Sequence, residues 1–146
     1  MKLSRNIFLL LKNLNKILPD KTFMPFDLPL MALVERIKSG CFRAEAVMDA
    51  VYDQIDQHNS SLNVYRSLLQ RKIAVSLACQ IDMKIASGKT VGKLAGIPVS
   101  IKDNICINDP ELSNSCGSQI LSEYHSPYHA TVVEKLLQED ALIIGT

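Results

Sequence analysis

The run Ala141-Leu142-Ile143-Ile144-Gly145 contains no polar residue, and that limits the folds open to this chain more than any other feature. A strand with one face in water alternates apolar and polar side chains, whereas a strand apolar at every position needs cover on both faces. That is the situation inside an α/β sheet. The segment before it, residues 129 to 140, has helical spacing that sets Val132, Val133, Leu136 and Leu137 inward. A helix leading into a doubly buried strand is half of an α/β unit. A second apolar segment, residues 97 to 102, reads as another strand, so the expected class is α/β with helices leading into a sheet.

The upstream half supplies the helices. Leu30, Leu33, Val34 and Ile37 share one helical face, and Lys38-Ser39-Gly40 closes it with a basic last turn and a glycine. From Arg43, the positions Ala46, Val47, Ala50, Val51, Gln54 and Ile55 keep helical period up to His58-Asn59-Ser60-Ser61, which reads as a turn. Leu62-Asn63-Val64-Tyr65 is brief and β-prone. Residues 68 to 86 then read as a third helix, with Leu69, Ile73, Leu77, Ile81 and Ile85 on its stripe. Asn108-Asp109-Pro110 reads as a turn. The segment from Ser113 to Ser118, rich in small residues, reads either as a tight turn or as backbone lying close to a site.

One residue conflicts with its surroundings. In Gly96-Ile97-Pro98-Val99-Ser100-Ile101-Lys102-Asp103-Asn104 the alternation of a strand puts Ile97, Val99 and Ile101 on one face and Pro98, Ser100 and Lys102 on the other. Ser100 and Lys102 are then neighbours, while Asp103 faces away from the lysine. A lysine in a low-dielectric site without a counter-charge can lose its proton and serve as a general base. A strand-end lysine can also bury its stem and leave its ammonium in water, and spacing alone favours this second reading.

Charge and composition narrow the classes. The 146 residues suffice for one domain, and 47% hydrophobic with 21% charged residues is a soluble globular balance. A formal net charge of +1 gives no field that would draw the chain to nucleic acid. Cys41, Cys79, Cys106 and Cys116 are too unevenly spaced for a zinc site or a disulfide scaffold, which points to free thiols in a reducing compartment. Residues 1 to 18 form a separate pattern: Lys2, Arg5, Lys12 and Lys16 are basic, no acid precedes Asp20, and Ile7, Leu10, Leu11, Leu14, Ile17 and Leu18 recur at helical spacing. Their unbroken apolar run is too short to span a bilayer. A docked surface helix, an organelle-targeting peptide and a membrane-surface helix all fit this pattern, in that order of preference. The prolines of Met24-Pro25-Phe26-Asp27-Leu28-Pro29 favour an extended linker, so the expected division is residues 1–29 and residues 30–146.

The motifs from Gly92 to Asn104, Ser115-Cys-Gly-Ser118, Ser126-Pro-Tyr128, Ala130 to Leu136 and Ile143-Ile-Gly145 occur in an order that resembles the opening of an amidase signature enzyme. Within that family the chain is most similar to the A subunits of glutamyl-tRNA(Gln) amidotransferases. The resemblance implies the amino-terminal part of the amidase fold, in which helices lead into a mixed β-sheet core. It also implies a serine, cis-serine and lysine relay in which Lys102 matches the base, with Ser100, Asp103 and Asn104 as supporting neighbours. The A subunits of this family hydrolyse glutamine. The ammonia passes to the B subunit, where ATP and magnesium serve to activate a glutamate on tRNA, so the B and C subunits are the implied partners. The tRNA is engaged only indirectly. No cofactor is implied for this chain, and its compartment would be the cytoplasm, or the mitochondrial matrix or another organelle if residues 1–18 are a targeting peptide.

The resemblance also marks departures. Both family serines belong downstream of the strand that here ends at Gly145, so the expectation is an incomplete domain, inactive alone. His129 stands where the family usually has an aspartate that would cap the following helix, the loop at 108–112 is about one residue longer, and Asn114 replaces a common threonine. The readings that remain beside a glutamine amidase are a non-catalytic partner-binding remnant and a fragment of an amidase for other small amides.

Overall fold

A computed structural model of the chain describes residues 25–146, and the pattern over residues 1–18 lies outside the described residues. After a 3-10 turn at Pro25–Asp27 come helices α1 (Leu30–Lys38), α2 (Ala44–Leu62) and α3 (Arg71–Ala86), strand β1 (Pro98–Ser100), helix α4 (Thr131–Gln138) and strand β2 (Leu142–Gly145). The linker expected to be extended thus contains a helical turn. Proline at its first position already has the required φ and lacks only an N–H the turn does not use.

The all-apolar run is buried throughout, as a doubly covered strand must be. β1 lies parallel to β2, pairing Pro98 with Leu142, Val99 with Ile143 and Ser100 with Gly145, with a register slip after Val99. The pairing continues past β1, because the Ile101 N–H donates to the Gly145 carbonyl at 3.0 Å. The opposite edge of β2 is also occupied. Arg66 N–H donates to the Thr146 carbonyl, Thr146 N–H to the Ser67 carbonyl and Leu69 N–H to the Ile144 carbonyl, each at 2.8 Å, and Leu68 bridges Gly145 in the antiparallel sense. The sheet is therefore mixed, with β2 in the middle.

The helices cover it with Leu33, Val34 and Ile37 from α1, Ala44, Val47, Met48, Tyr52 and Ile55 from α2, and Ala74, Ala78 and Ile81 from α3. Small residues on α3 let it approach closely, and α2 and α3 pack side by side. Gly145 marks the tightest point. A Cβ there would lie 2.6 Å from the Ser67 carbonyl oxygen and 2.7 Å from the Tyr65 ring. Gly145→Ala is expected to push the 66–69 edge off β2 and to cost about 2–3 kcal/mol, read as a lower urea midpoint.

Several helix limits and faces differ from the sequence reading. The segment His58-Asn59-Ser60-Ser61 is not a turn: α2 runs through it to Leu62. Its polar side chains serve the helix end instead. Asn63 takes a left-handed conformation and donates its N–H to the Asn59 carbonyl at 2.7 Å, while Asn59 Oδ1 accepts from the N–H groups of Val64 and Tyr65. Leu68 and Leu69 lie outside α3 because their backbone groups pair with β2. Leu30 on α1 and Val132 and Leu137 on α4 are exposed rather than inward, and Leu62 to Tyr65 form no strand.

Candidate active site

In parallel sheets, sites gather at the carboxyl ends of the strands, where the peptide chain leaves the ladder and side chains are free of it. Here the carboxyl end of β1 carries Ser100, Ile101 and Lys102, and that of β2 carries Gly145 and Thr146. Ile97 and Ile101 are buried and Val99 half-buried, whereas Ser100 and Lys102 are exposed. Strand alternation thus sets the two polar residues on one side, as the sequence implies. The strand then ends, and a turn closes through the Ile105 N–H and the Lys102 carbonyl at 2.8 Å. Among the described residues Lys102 has no ion-pair partner.

Asp103 goes the other way. It is buried, and its carboxylate accepts the Ser115 N–H at 2.9 Å, the Ser115 hydroxyl at 2.7 Å and the Gly117 N–H at 3.2 Å. The Arg66 Nε stands 3.4 Å from Oδ2. The 115–117 turn can surround a carboxylate because Cys116 and Gly117 both take positive φ, which aims successive N–H groups inward. Segment 113–118 is therefore a tight turn that also touches the residue next to Lys102. Burial alone would raise the Asp103 carboxyl, but the Ser115 and Gly117 donors and Arg66 outweigh it and hold it below the usual carboxylate range. Asp140 is held low in the same way: burial opposes, and Lys84 Nζ at 2.7 Å and the Gly92 N–H at 2.6 Å prevail.

A carboxyl whose folded-state pKa lies below its unfolded value stabilises the fold above the unfolded pKa, and that contribution is lost as pH falls through the folded value. The melting temperature is therefore expected to fall once pH drops below about 4. Asp103→Asn should flatten part of that acid limb in a melt series from pH 7 to pH 2. An unchanged limb would show that Asp103 does not contribute to it.

The remaining residues divide clearly. The Ser100 hydroxyl lies 2.7 Å from the Tyr65 hydroxyl, and Asn104 is exposed. Asn114 is buried, accepting the Ile107 N–H and donating to the Ile105 carbonyl, which pins the loop after Lys102. His129 does not cap α4. Its Nδ1 accepts the Asn108 N–H at 3.1 Å, and Ala130 occupies the cap position. Tyr65 and Arg66 stand beside the site although no sequence signal marks them for it. No local pattern connects them to a strand more than thirty positions away. The four cysteines are free, no cluster of three His, Cys, Asp or Glu that could hold a metal occurs among the described residues, and no described helix is long and apolar enough to cross a membrane.

These features define an α/β domain with a lysine at the carboxyl ends of parallel strands, and the Amidase family model matches residues 46–146. The chain belongs to the amidase family, with the amidase signature fold. The A subunit of the glutamyl-tRNA(Gln) amidotransferase of Natranaerobius thermophilus is 39% identical over 119 residues, which is 82% of this chain and 24% of that protein. Its counterpart from Chlamydia abortus is 37% identical over 115 residues, 79% of this chain and 23% of its own length. The chain thus spans about a quarter of the length of these curated relatives. Among solved structures, a bacterial aryl acylamidase of the amidase signature family superposes with a TM-score of 0.67 at 27% identity, covering 77% of this chain and 23% of that one. A fatty acid amide hydrolase gives a TM-score of 0.75 at 22% identity over 99% of this chain and 27% of that chain, a likeness of fold.

Proposed function

We propose that this chain supplies the lysine-bearing part of a glutamine amidohydrolase of the glutamyl-tRNA(Gln) amidotransferase A type, with Lys102 as the general base. One observation carries the reading: within the family-matched segment, Lys102 stands at the carboxyl ends of the two parallel strands, on the side that Ser100 shares and, among the described residues, without an ion-pair partner. A serine nucleophile is weak until a base takes its proton, and Lys102 is the residue of this chain that matches the family's base. Asp103 and Asn104 act through the backbone beside it. Residues 30–146 are the proposed amidase portion, with Leu28 just before it already packed against the core. The B and C subunits of such an amidotransferase are the proposed partners, glutamine the substrate and ammonia the product. The free thiols fit a reducing, cytoplasmic setting.

The test is an enzyme in which these 146 residues replace the matching segment of the Natranaerobius thermophilus protein, assayed for ammonia release from glutamine. Activity that depends on Lys102 supports the reading. The 146 residues alone, which span about a quarter of the length of these relatives, are expected to release no ammonia, and turnover by them would refute the proposal that Lys102 works with serines supplied from elsewhere in such an enzyme.

A further inference from the structure

Lys102 is bracketed. Two residues before it, the Ser100 hydroxyl is bonded to the Tyr65 hydroxyl at 2.7 Å; one residue after it, Asp103 faces the Arg66 guanidinium at 3.4 Å. The two bracketing partners are consecutive in sequence, although they reach opposite sides of the lysine. Their own backbone is fixed as well: Arg66 N–H is bonded to the Thr146 carbonyl, and the Tyr65 ring lies against Gly145 so closely that a Cβ there would be 2.7 Å from it. The same dipeptide therefore touches the carboxyl end of β1 through side chains and that of β2 through ring and backbone.

We infer that Tyr65 and Arg66 are positioning residues for Lys102, setting its backbone relative to the end of β2. The inference rests on the reading of Lys102 as the base. Without the pair, the stretch from Ile101 to Lys102 keeps the Ile101 and Ile105 hydrogen bonds and the Ser115 and Gly117 donors on Asp103, but loses both side-chain contacts that refer it to the end of β2. Misplacing a reacting group by about 1 Å can cost up to about a hundredfold in rate, so loss of one bracket should be visible in turnover.

Tyr65→Phe keeps the ring on Gly145 and removes only the hydroxyl. In the segment-replaced amidase it is expected to lower kcat about tenfold, with KM and melting temperature unchanged. Ser100→Ala should do the same, and the double variant should be no worse than the more impaired single one, because both remove one contact. Arg66→Met should lower kcat without a matching rise in KM. In the 146-residue chain, hydrogen exchange at the Ile101 and Ile105 amides should quicken in Tyr65→Phe while α3 amides stay protected. Wild-type kcat in Tyr65→Phe, alongside an inactive Lys102→Ala, overturns the positioning role and leaves the proposed function standing. A melting temperature that falls in step with kcat also overturns it, by reducing the pair to scaffold. Activity that survives in Lys102→Ala removes the base assignment and this inference with it.

Discussion

Lys102→Ala in the segment-replaced amidase is expected to abolish ammonia release from glutamine, a loss of at least about a thousandfold in kcat. General acid–base catalysis by a positioned side chain contributes on the order of 10²–10⁴, and here the same group would also activate the nucleophile, so the upper part of that range applies. Lys102→Arg should be nearly as damaging, since a guanidinium keeps its proton and cannot accept one from serine. The arginine variant separates chemistry from packing. Lys102 is exposed, so neither substitution opens a core cavity, and both proteins should melt within a few degrees of the parent. Asp103→Asn is the contrasting case. It leaves the base in place but disturbs the Ser115 and Gly117 donors, so it should lower stability more and turnover less. If Lys102→Ala retains a tenth or more of parental turnover with glutamine, the lysine is not the base. If both position 102 variants lose their fold, the exposed placement of this residue is wrong.

What can be read from the sequence, and what cannot, follows from where each residue's partner lies. The doubly apolar strand β2, the alternation that exposes Ser100 and Lys102, and the glycine stop after α1 depend on local periodicity, and each holds in the structure. The aspartate beside Lys102 faces away as expected, although the strand has ended by then and the Ser115 and Gly117 donors hold its carboxylate there. What lies across space is hidden. The 66–69 edge of the sheet has partners nearly eighty positions later, and its residues carry no alternating pattern of their own. The turn expected at 58–61 fails for a related reason. Asn and Ser favour turns when nothing else claims their side chains, but Asn59 and Ser61 spend their polar atoms on the end of α2 and so extend it. On α4 the difference is one of width. Four apolar positions suggest a broad inward face, whereas Val133 is buried and Leu136 half-buried, with Val132 and Leu137 exposed.

Tyr52→Ala should be the most destabilising single change in the helices, at about 3–5 kcal/mol. Tyr52 is the largest fully enclosed side chain among the described residues, 2% exposed, on a face of α2 that includes Met48 and Ile55. The stripe read from Ala46, Val47, Ala50, Val51, Gln54 and Ile55 reaches this face at Ile55 but leaves Tyr52 out, because a tyrosine scores as amphipathic and its polar end gives no hint of burial. Its hydroxyl has a buried acceptor: it donates to the Leu69 carbonyl at 2.8 Å. Burial, assisted by the nearby Tyr65 and Asp56, pushes its pKa up to about 12, so the phenol stays protonated and remains a donor over any ordinary pH. The contact joins α2 to the edge that pairs with β2, since the Leu69 N–H is bonded to Ile144 while its carbonyl takes the phenol. Truncation therefore opens a cavity and frees that edge together. Tyr52→Phe keeps the volume and removes only the hydrogen bond, which should cost about 1–2 kcal/mol and set a lower bound on the link between α2 and the sheet. Urea melts of the two variants separate the terms, the alanine variant adding the cavity to the lost bond. Equal losses would mean that the ring packs weakly, and a neutral Tyr52→Phe would mean that the Leu69 carbonyl finds another donor. The expected order, alanine well below phenylalanine and phenylalanine below the parent, makes Tyr52 the residue that ties α2 to the Leu69 end of the edge paired with β2.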